Sequence, residues 1–112
     1  MTANLKIEES THAGHAVLDI SGEIDLATAP ELESTLSSRI GAAKTIVDLS
    51  TVSFIDSTGL RVLLTVHEAA EKAGGRLVLI SADGPVNKLF AITGVHDLLH
   101  IATTRDAAVA HA

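Results

Sequence analysis

Apolar and polar positions follow two different periods along this chain, which predicts strands and helices in succession. Residues 5–8 and 16–21 alternate apolar and polar side chains, as half-buried strands do, and the turn at 11–14 makes the pair a predicted hairpin. Residues 45–49 and 76–80 are short, nearly continuous apolar runs. Such runs are typical of interior strands that are covered on both faces of a sheet.

Between these strands, apolar residues recur at the spacing of amphipathic helices. Leu32, Leu36 and Ile40 form one apolar stripe. Thr28 and Glu31 stand before it at the spacing of a capping box, in which each side chain bonds the other's backbone N–H. The pattern therefore predicts a helix that begins near Thr28 and ends near residue 41.

The rest of the chain continues the alternation of helices and strands. A long helix is predicted over 60–73, a shorter one from Pro85 to residue 93, a strand over 98–101, and an Ala-rich helix capped by Thr103 or Thr104. Two strands followed by helix–strand alternation predict an α/β fold. We expect a mixed sheet of four to five strands flanked by about four helices, in a single domain spanning residues 1–112.

The composition disfavours several classes of binding partner. Eight Lys and Arg against 14 Asp and Glu give a net charge of −6, which disfavours nucleic acid and anionic membranes. Two Phe, with no Trp or Tyr, leave little surface for base stacking. No apolar run approaches the roughly 20 residues that span a bilayer, and no signal peptide is visible. We expect a cytoplasmic chain with a protein partner.

The candidate functional group is a hydroxyl at the junction of a buried strand and a helix. Asp56, Ser57, Thr58 and Gly59 form this junction, just before Leu60. A helix N-terminus carries unpaired N–H groups and partial positive charge, so Ser57 is placed to become, or to contact, an anion. The same residues also suit a purely structural cap, because Asp, Ser and Thr are common there.

Other site chemistries lack their required residues. A nucleophile elbow needs glycine where Ile55 stands, and no phosphate-binding loop accompanies Asp48, which is interpreted as a structural or surface carboxylate. His12 and His15 flank a turn without an evident third ligand. His67 lies on the core-facing side of its predicted helix. We therefore predict no metal site and no cofactor.

Three segments together resemble the STAS family, and specifically its bacterial anti-sigma factor antagonists. They read GEIDLATAPEL at 22–32, FIDSTGL at 54–60 and PVNKLFAITGV at 85–95. They occur in the family's order and spacing, and the similarity extends from about residue 5 to 106. The resemblance implies a mixed sheet flanked by helices and a binding role rather than catalysis, so we expect no enzymatic activity.

The resemblance also implies a phosphorylation switch. An anti-sigma factor serine kinase would phosphorylate Ser57, with Thr58 as a secondary acceptor, and a PP2C-type phosphatase would reset it. The unphosphorylated form would bind that kinase and release a sigma factor. An alternative within the family is a STAS subunit of a membrane transport or sensor complex. An enzyme with a Ser57 nucleophile is a further alternative, but it lacks a convincing base.

The resemblance assigns roles around the acceptor as well. Asp56 would orient the loop, and Gly59 would allow close approach of the partner. The partner-binding surface would consist of Glu23, Ile24, Asp25, Asp56, Thr58, Gly59 and Leu60.

Overall fold

A computed structural model describes residues 4–111 as a five-stranded sheet with four α-helices, which confirms the predicted α/β fold class. The strands are β1 (Leu5–His12), β2 (His15–Ile24), β3 (Lys44–Ile55), β4 (Arg76–Ile80) and β5 (His100–Ala102). The helices are α1 (Ala29–Ser37), α2 (Ser57–Lys72), α3 (Pro85–Thr93) and α4 (Arg105–Ala110), with a 3₁₀ turn at Val95–Asp97.

The strands lie in the sheet in the order in which they occur in the chain. β1 and β2 form the predicted antiparallel hairpin, with His12 opposite His15. β2, β3, β4 and β5 are parallel neighbours, so a crossover connects each of them to the next. The parallel strands therefore all end at one edge of the sheet, where connections to helices begin.

Helices cover both faces of the sheet, which explains why β3 and β4 are apolar on both sides. On one face α1, α2 and α3 pack over a large core. Its fully buried members include Ile20, Ile24, Leu32, Leu36, Val47, Leu63, Leu77, Leu79 and Phe90. On the other face α4 covers a smaller core of Val17, Ile46, Val78, Ile80, Ala102 and Ala108. Within residues 4–111 no helix combines the length and apolar content that a bilayer crossing needs.

Two strands are longer than predicted, because polar residues continue them. β3 runs to Ile55 instead of ending at residue 49, and β2 runs to Ile24 instead of ending at residue 21. The register of β2 shifts twice before Glu23, as at a bulge. The Thr51 hydroxyl donates to the Ile20 carbonyl (3.0 Å), and the Ser53 hydroxyl donates to the Gly22 carbonyl (3.1 Å). These hydroxyls bond carbonyls along the bulged segment, so the polar residues fit the strand.

Several predicted ends of helices and strands were wrong, whereas a predicted cap of α4 is confirmed. No side chain caps α1 at Thr28, so the capping box with Glu31 does not form. α1 stops at Ser37, before Ile40, whose side chain still packs against the core. Residues 98–99 follow the 3₁₀ turn and do not belong to β5. At α4 the cap is Thr104, which accepts from the Ala107 N–H at 3.0 Å.

Candidate functional site

The ends of β2 and β3 bring the two predicted site segments together. Ile24 pairs with Ile55 in the parallel register, and Glu23 pairs with Phe54. The N–H of Asp56 then donates to the Ile24 carbonyl at 3.2 Å. Residues 23–25 therefore lie alongside residues 54–56, as the STAS resemblance implied.

Asp56 fixes the junction between β3 and α2. Its backbone is extended (φ −113°, ψ −173°), and its Oδ1 accepts from the N–H groups of Thr58 (2.9 Å) and Gly59 (3.1 Å). This is the standard N-cap geometry, which satisfies two otherwise unpaired helix donors. Ser57 is thereby held as the first residue of α2 with its side chain exposed, whereas Thr58 is half-buried. α2 thus begins at Ser57 and not at Leu60.

Gly59 makes its close approach inside the domain. A Cβ at this position would lie 2.4 Å from Cγ2 of Ile24 and 3.0 Å from Cγ1 of Ile55, far inside van der Waals contact. Ile24 is 0% exposed and Leu60 is 7% exposed. These three residues therefore form the packing beneath the junction. Ile24 and Leu60 therefore offer little surface to a partner, and the partner-contact roles of all three residues stay predictions.

Asp25 shapes the loop on the other side of the junction. Its Oδ1 accepts from the N–H groups of Ala27 (3.0 Å) and Thr28 (3.1 Å), as in an Asx turn. The buried Thr28 hydroxyl donates to the Glu23 carbonyl (2.8 Å) and accepts from the Asp25 N–H (2.9 Å). These bonds replace the predicted capping box, and they hold Leu26 outward with 76% of its surface exposed.

A shallow groove of about 330 Å³ runs between α1 and α2 next to this junction. Half of its lining residues are apolar, two are threonines, one is acidic and one is basic. The lining residues are Leu26, Ala29, Pro30, Glu33, Thr58, Arg61, Val62 and Thr65. Sequence patterns did not reveal this groove, because it depends on how two separate helices pack. The exposed Leu26 and Thr58, the residue after Ser57, thus line a surface with both polar and apolar character.

Asp48 belongs to a separate polar cluster that joins α4 to the sheet. The Arg105 guanidinium bonds Asp48 Oδ2 (3.1 Å), Asp19 and the Ser10 hydroxyl (3.0 Å). The Ser10 hydroxyl in turn donates to Asp19 at 2.6 Å. Asp48 is therefore a structural carboxylate, as predicted, and this cluster lies apart from the groove.

A second cluster outside the junction contains two histidines and a glutamate. Nε2 of His100, at the edge strand, lies 2.8 Å from Oε1 of Glu71 on α2. The rings of His67 and His100 have centroids 5.3 Å apart. Burial lowers the pKa of His67, and the hydrogen bond with His100 lowers the pKa of Glu71. One ligand atom from each of these three residues lies within 4.8 Å of the others, so these three residues could hold a metal ion.

Known proteins resemble this chain over nearly its whole length. The STAS domain family model matches residues 6–108. An anti-sigma-B factor antagonist from Staphylococcus epidermidis is 35% identical over 100 residues, covering 88% of this chain and 93% of the relative.

Solved structures share the fold. An anti-sigma factor antagonist from Mycobacterium paratuberculosis has a TM-score of 0.80 at 28% identity, covering 95% of this chain and 92% of the other. The Bacillus cell fate determinant SpoIIAA in its phosphorylated form has a TM-score of 0.65 at 20% identity, with 94% and 97% covered. The family match over residues 6–108 and the 35% identity to a named relative together show that this chain belongs to the STAS domain family.

Proposed function

We propose that this chain is an anti-sigma factor antagonist switched by phosphorylation of Ser57. The unphosphorylated form binds an anti-sigma factor serine kinase and so releases a sigma factor. Phosphorylation ends the binding, and a PP2C-type phosphatase restores it. Support comes from relatives named anti-sigma-B factor antagonists and from a solved structural neighbour in its phosphorylated form. The role is regulatory, and Ser57 is a substrate group and not a nucleophile.

The observation that carries the proposal is the exposure of Ser57 on a fixed backbone. Asp56 anchors the turn through two backbone N–H groups, while the Ser57 side chain is exposed. A kinase active site needs a hydroxyl that it can reach in a defined position. Thr58 is half-buried and lines the groove, so it is the weaker acceptor.

The docking surface in this proposal is narrower than the resemblance alone implied. It comprises the half-buried acidic residues Glu23, Asp25 and Asp56, the exposed Leu26, and Thr58 at the edge of the groove. Large exposed apolar side chains beside charged groups are common at protein interfaces. A partner that fits this surface carries basic residues around an apolar pocket.

Electrostatics explain how one phosphate ends the binding. Phosphorylation adds about −1.5 to −2 charges next to Asp56. Going from mostly bound to mostly free requires roughly a 10²–10⁴-fold change in affinity, or about 3–5.5 kcal/mol. Leaving a charge buried and unpaired at an interface costs about 3–5 kcal/mol, so no change of fold is needed.

The experiment is phosphate transfer with ATP and a candidate anti-sigma factor kinase, followed by intact mass and peptide mapping. We expect one phosphate on Ser57 of the wild-type chain. Ser57→Ala should accept little, whereas Thr58→Val, which keeps the Ser57 hydroxyl, should still accept one phosphate on Ser57. Equal phosphorylation of Ser57→Ala, or a site mapped to Thr58, would refute the assignment of Ser57.

A further inference from the structure

We propose that His67, Glu71 and His100 form a binding site for one divalent transition-metal ion of the Zn²⁺ type. The site is independent of the phosphorylation switch. Ten residues of α2 separate His67 from Ser57, which corresponds to about 15 Å along the helix axis. The proposal departs from the sequence-based expectation that the chain has no metal site.

The fold positions all three ligands. His67 and Glu71 are four residues apart on α2, so their side chains lie on the same face, one turn apart. β5 is an edge strand of the sheet, and its first residue, His100, reaches this face of α2. One helix and one strand therefore supply all three ligands.

The distances are compatible with coordination after small side-chain rotations. The three ligand atoms lie within 4.8 Å of one another, and the Glu71–His100 pair is at 2.8 Å. Two ligands held tetrahedrally by Zn²⁺ at about 2.1 Å each are about 3.4 Å apart. A pair at the 4.8 Å limit must therefore close by about 1.4 Å, which rotations of these partly exposed side chains allow.

One ring nitrogen of His67 is buried and available to a ligand. Its Nδ1 is buried and has no hydrogen-bond partner within residues 4–111. A buried polar atom without a partner is uncommon in a native fold and requires an explanation. A rotation of the imidazole toward Glu71 and His100 would let it bind a cation, and this role explains a ring nitrogen that packing leaves unpaired.

The ligand types select the metal. Two imidazoles and one carboxylate suit Zn²⁺ and its transition-metal neighbours. Ca²⁺ and Mg²⁺ require about six or more oxygen ligands, which this cluster cannot supply. The His111 ring also packs against His100, with centroids 5.1 Å apart, which places a further imidazole beside the cluster.

The test is calorimetric titration of the untagged full chain with ZnCl₂ at neutral pH. We expect one Zn²⁺ per chain for the wild type and at least about tenfold weaker binding for His100→Gln and Glu71→Gln. The matched control is His15→Gln, which removes an exposed histidine at the hairpin turn and should bind like the wild type. Absence of saturable binding by the wild type, or unchanged binding by His100→Gln, would overturn the proposal.

A second measurement needs no variant and so does not depend on the variants folding. In ¹⁵N-labelled wild-type protein, Zn²⁺ should shift the imidazole resonances of His67 and His100 and leave those of His12, His15 and His96 in place. Shifts confined to His12 and His15 would place any zinc at the hairpin and refute the site on α2.

Discussion

The backbone of Gly59 lies directly against the side chain of Ile24, so close that a Cβ at position 59 would fall 2.4 Å from Cγ2 of Ile24. This contact joins the first turn of α2 to the end of β2. The two segments that form the candidate site are therefore held together by packing as well as by backbone hydrogen bonds. A substitution at either residue should therefore change the packing of the other.

Gly59→Ala should destabilise the domain by about 1–3 kcal/mol, although alanine is the better helix former, because the added methyl overpacks the core. Ile24→Ala alone should cost about 2–5 kcal/mol through the cavity that it leaves. The double variant should lose clearly less than the sum, since each change compensates for the other. Urea unfolding measures all three.

The control for this cycle is Gly41→Ala, where an added Cβ would meet no atom within 4 Å. Its free energy of unfolding should stay within about 0.5 kcal/mol of the wild type. Strict additivity of Gly59→Ala and Ile24→Ala would show that the contact carries no coupling.

Asp56→Ala should lower the free energy of unfolding by about 1 kcal/mol, because it removes the acceptor for the Thr58 and Gly59 N–H groups. Asp56→Asn keeps an acceptor oxygen and should cost little, since Asn and Asp are similar N-caps. Chemical unfolding of the two variants distinguishes the contribution of the hydrogen bonds from that of the negative charge. A loss as large for Asn as for Ala would mean that the negative charge, and not the hydrogen bonds, stabilises the turn.

Ser57→Asp should weaken binding of the anti-sigma factor kinase by at least about tenfold, or 1.4 kcal/mol, because it adds an anion to the docking surface. Aspartate carries less charge than phosphoserine, so the effect should be smaller than that of phosphorylation. Calorimetry with the kinase measures it.

The matched control is Ala13→Asp, which adds the same charge at the hairpin turn, at the opposite end of β2. Ala13 has a positive φ of 51°, which Asp tolerates well. If both variants bind equally well, or equally poorly, the position of the charge does not matter and the interface model is wrong.

Phosphorylation of Ser57 should change the stability of the domain by less than about 1 kcal/mol, a few degrees in Tm. The dipole of α2 favours the anion by about 0.3–1 kcal/mol, and repulsion from Asp56 opposes it. The Thr58 and Gly59 N–H groups already bond Asp56, so the phosphate gains little from them. Thermal unfolding of both forms tests this, and a drop of about ten degrees or more would indicate that phosphate acts by unfolding the junction.

Arg61 provides a sharper version of this test. It is exposed and lies four residues after Ser57 on α2, so it is placed to pair with a phosphate there. Arg61→Gln should destabilise the phosphorylated form by about 0.2–0.5 kcal/mol more than the plain form. An equal effect on both forms would mean that Arg61 does not contact the phosphate.

Arg105→Ala should destabilise the domain by about 1–3 kcal/mol, because it leaves the partly buried Asp19 and Asp48 carboxylates side by side without their cation. Arg39→Ala breaks the exposed pair with Glu9 and should cost less than about 1 kcal/mol. Urea unfolding compares the two directly. Similar losses would show that the Arg105 cluster is no stronger than a surface ion pair.

Sequence periodicity predicted the elements well where apolar side chains fill a core, as in β4 and α2. It failed where polar groups bond the backbone locally. Thr51 and Ser53 interrupt the apolar run of β3 yet continue the strand, because their hydroxyls bond carbonyls of β2. The Thr28 hydroxyl bonds Glu23 and Asp25 instead of its own helix. These hydrogen bonds form with a neighbouring strand or loop, so a local sequence pattern cannot predict them.

The position of Asp56 and Ser57 at a strand–helix junction could be predicted from sequence, because such a junction is a local feature. The burial of Ile24 and Leu60 could not, because it depends on how α2 lies on the sheet. The cluster of His67, Glu71 and His100 had only one local signal, two ligand types four residues apart on a helix. Its third member lies 29 residues beyond Glu71 and joins them only in the folded sheet.

The agreement between strand order and chain order has a consequence for synthesis. Each strand adds to the free edge left by the preceding one, so no strand must enter between two that are already paired. Because each strand pairs with its neighbour in the chain, each loop closure spans a single connection, which limits its entropic cost. During translation the sheet can grow in the direction of synthesis, and β2, β3 and α2 can assemble the Ser57 junction before β5 and α4 leave the ribosome.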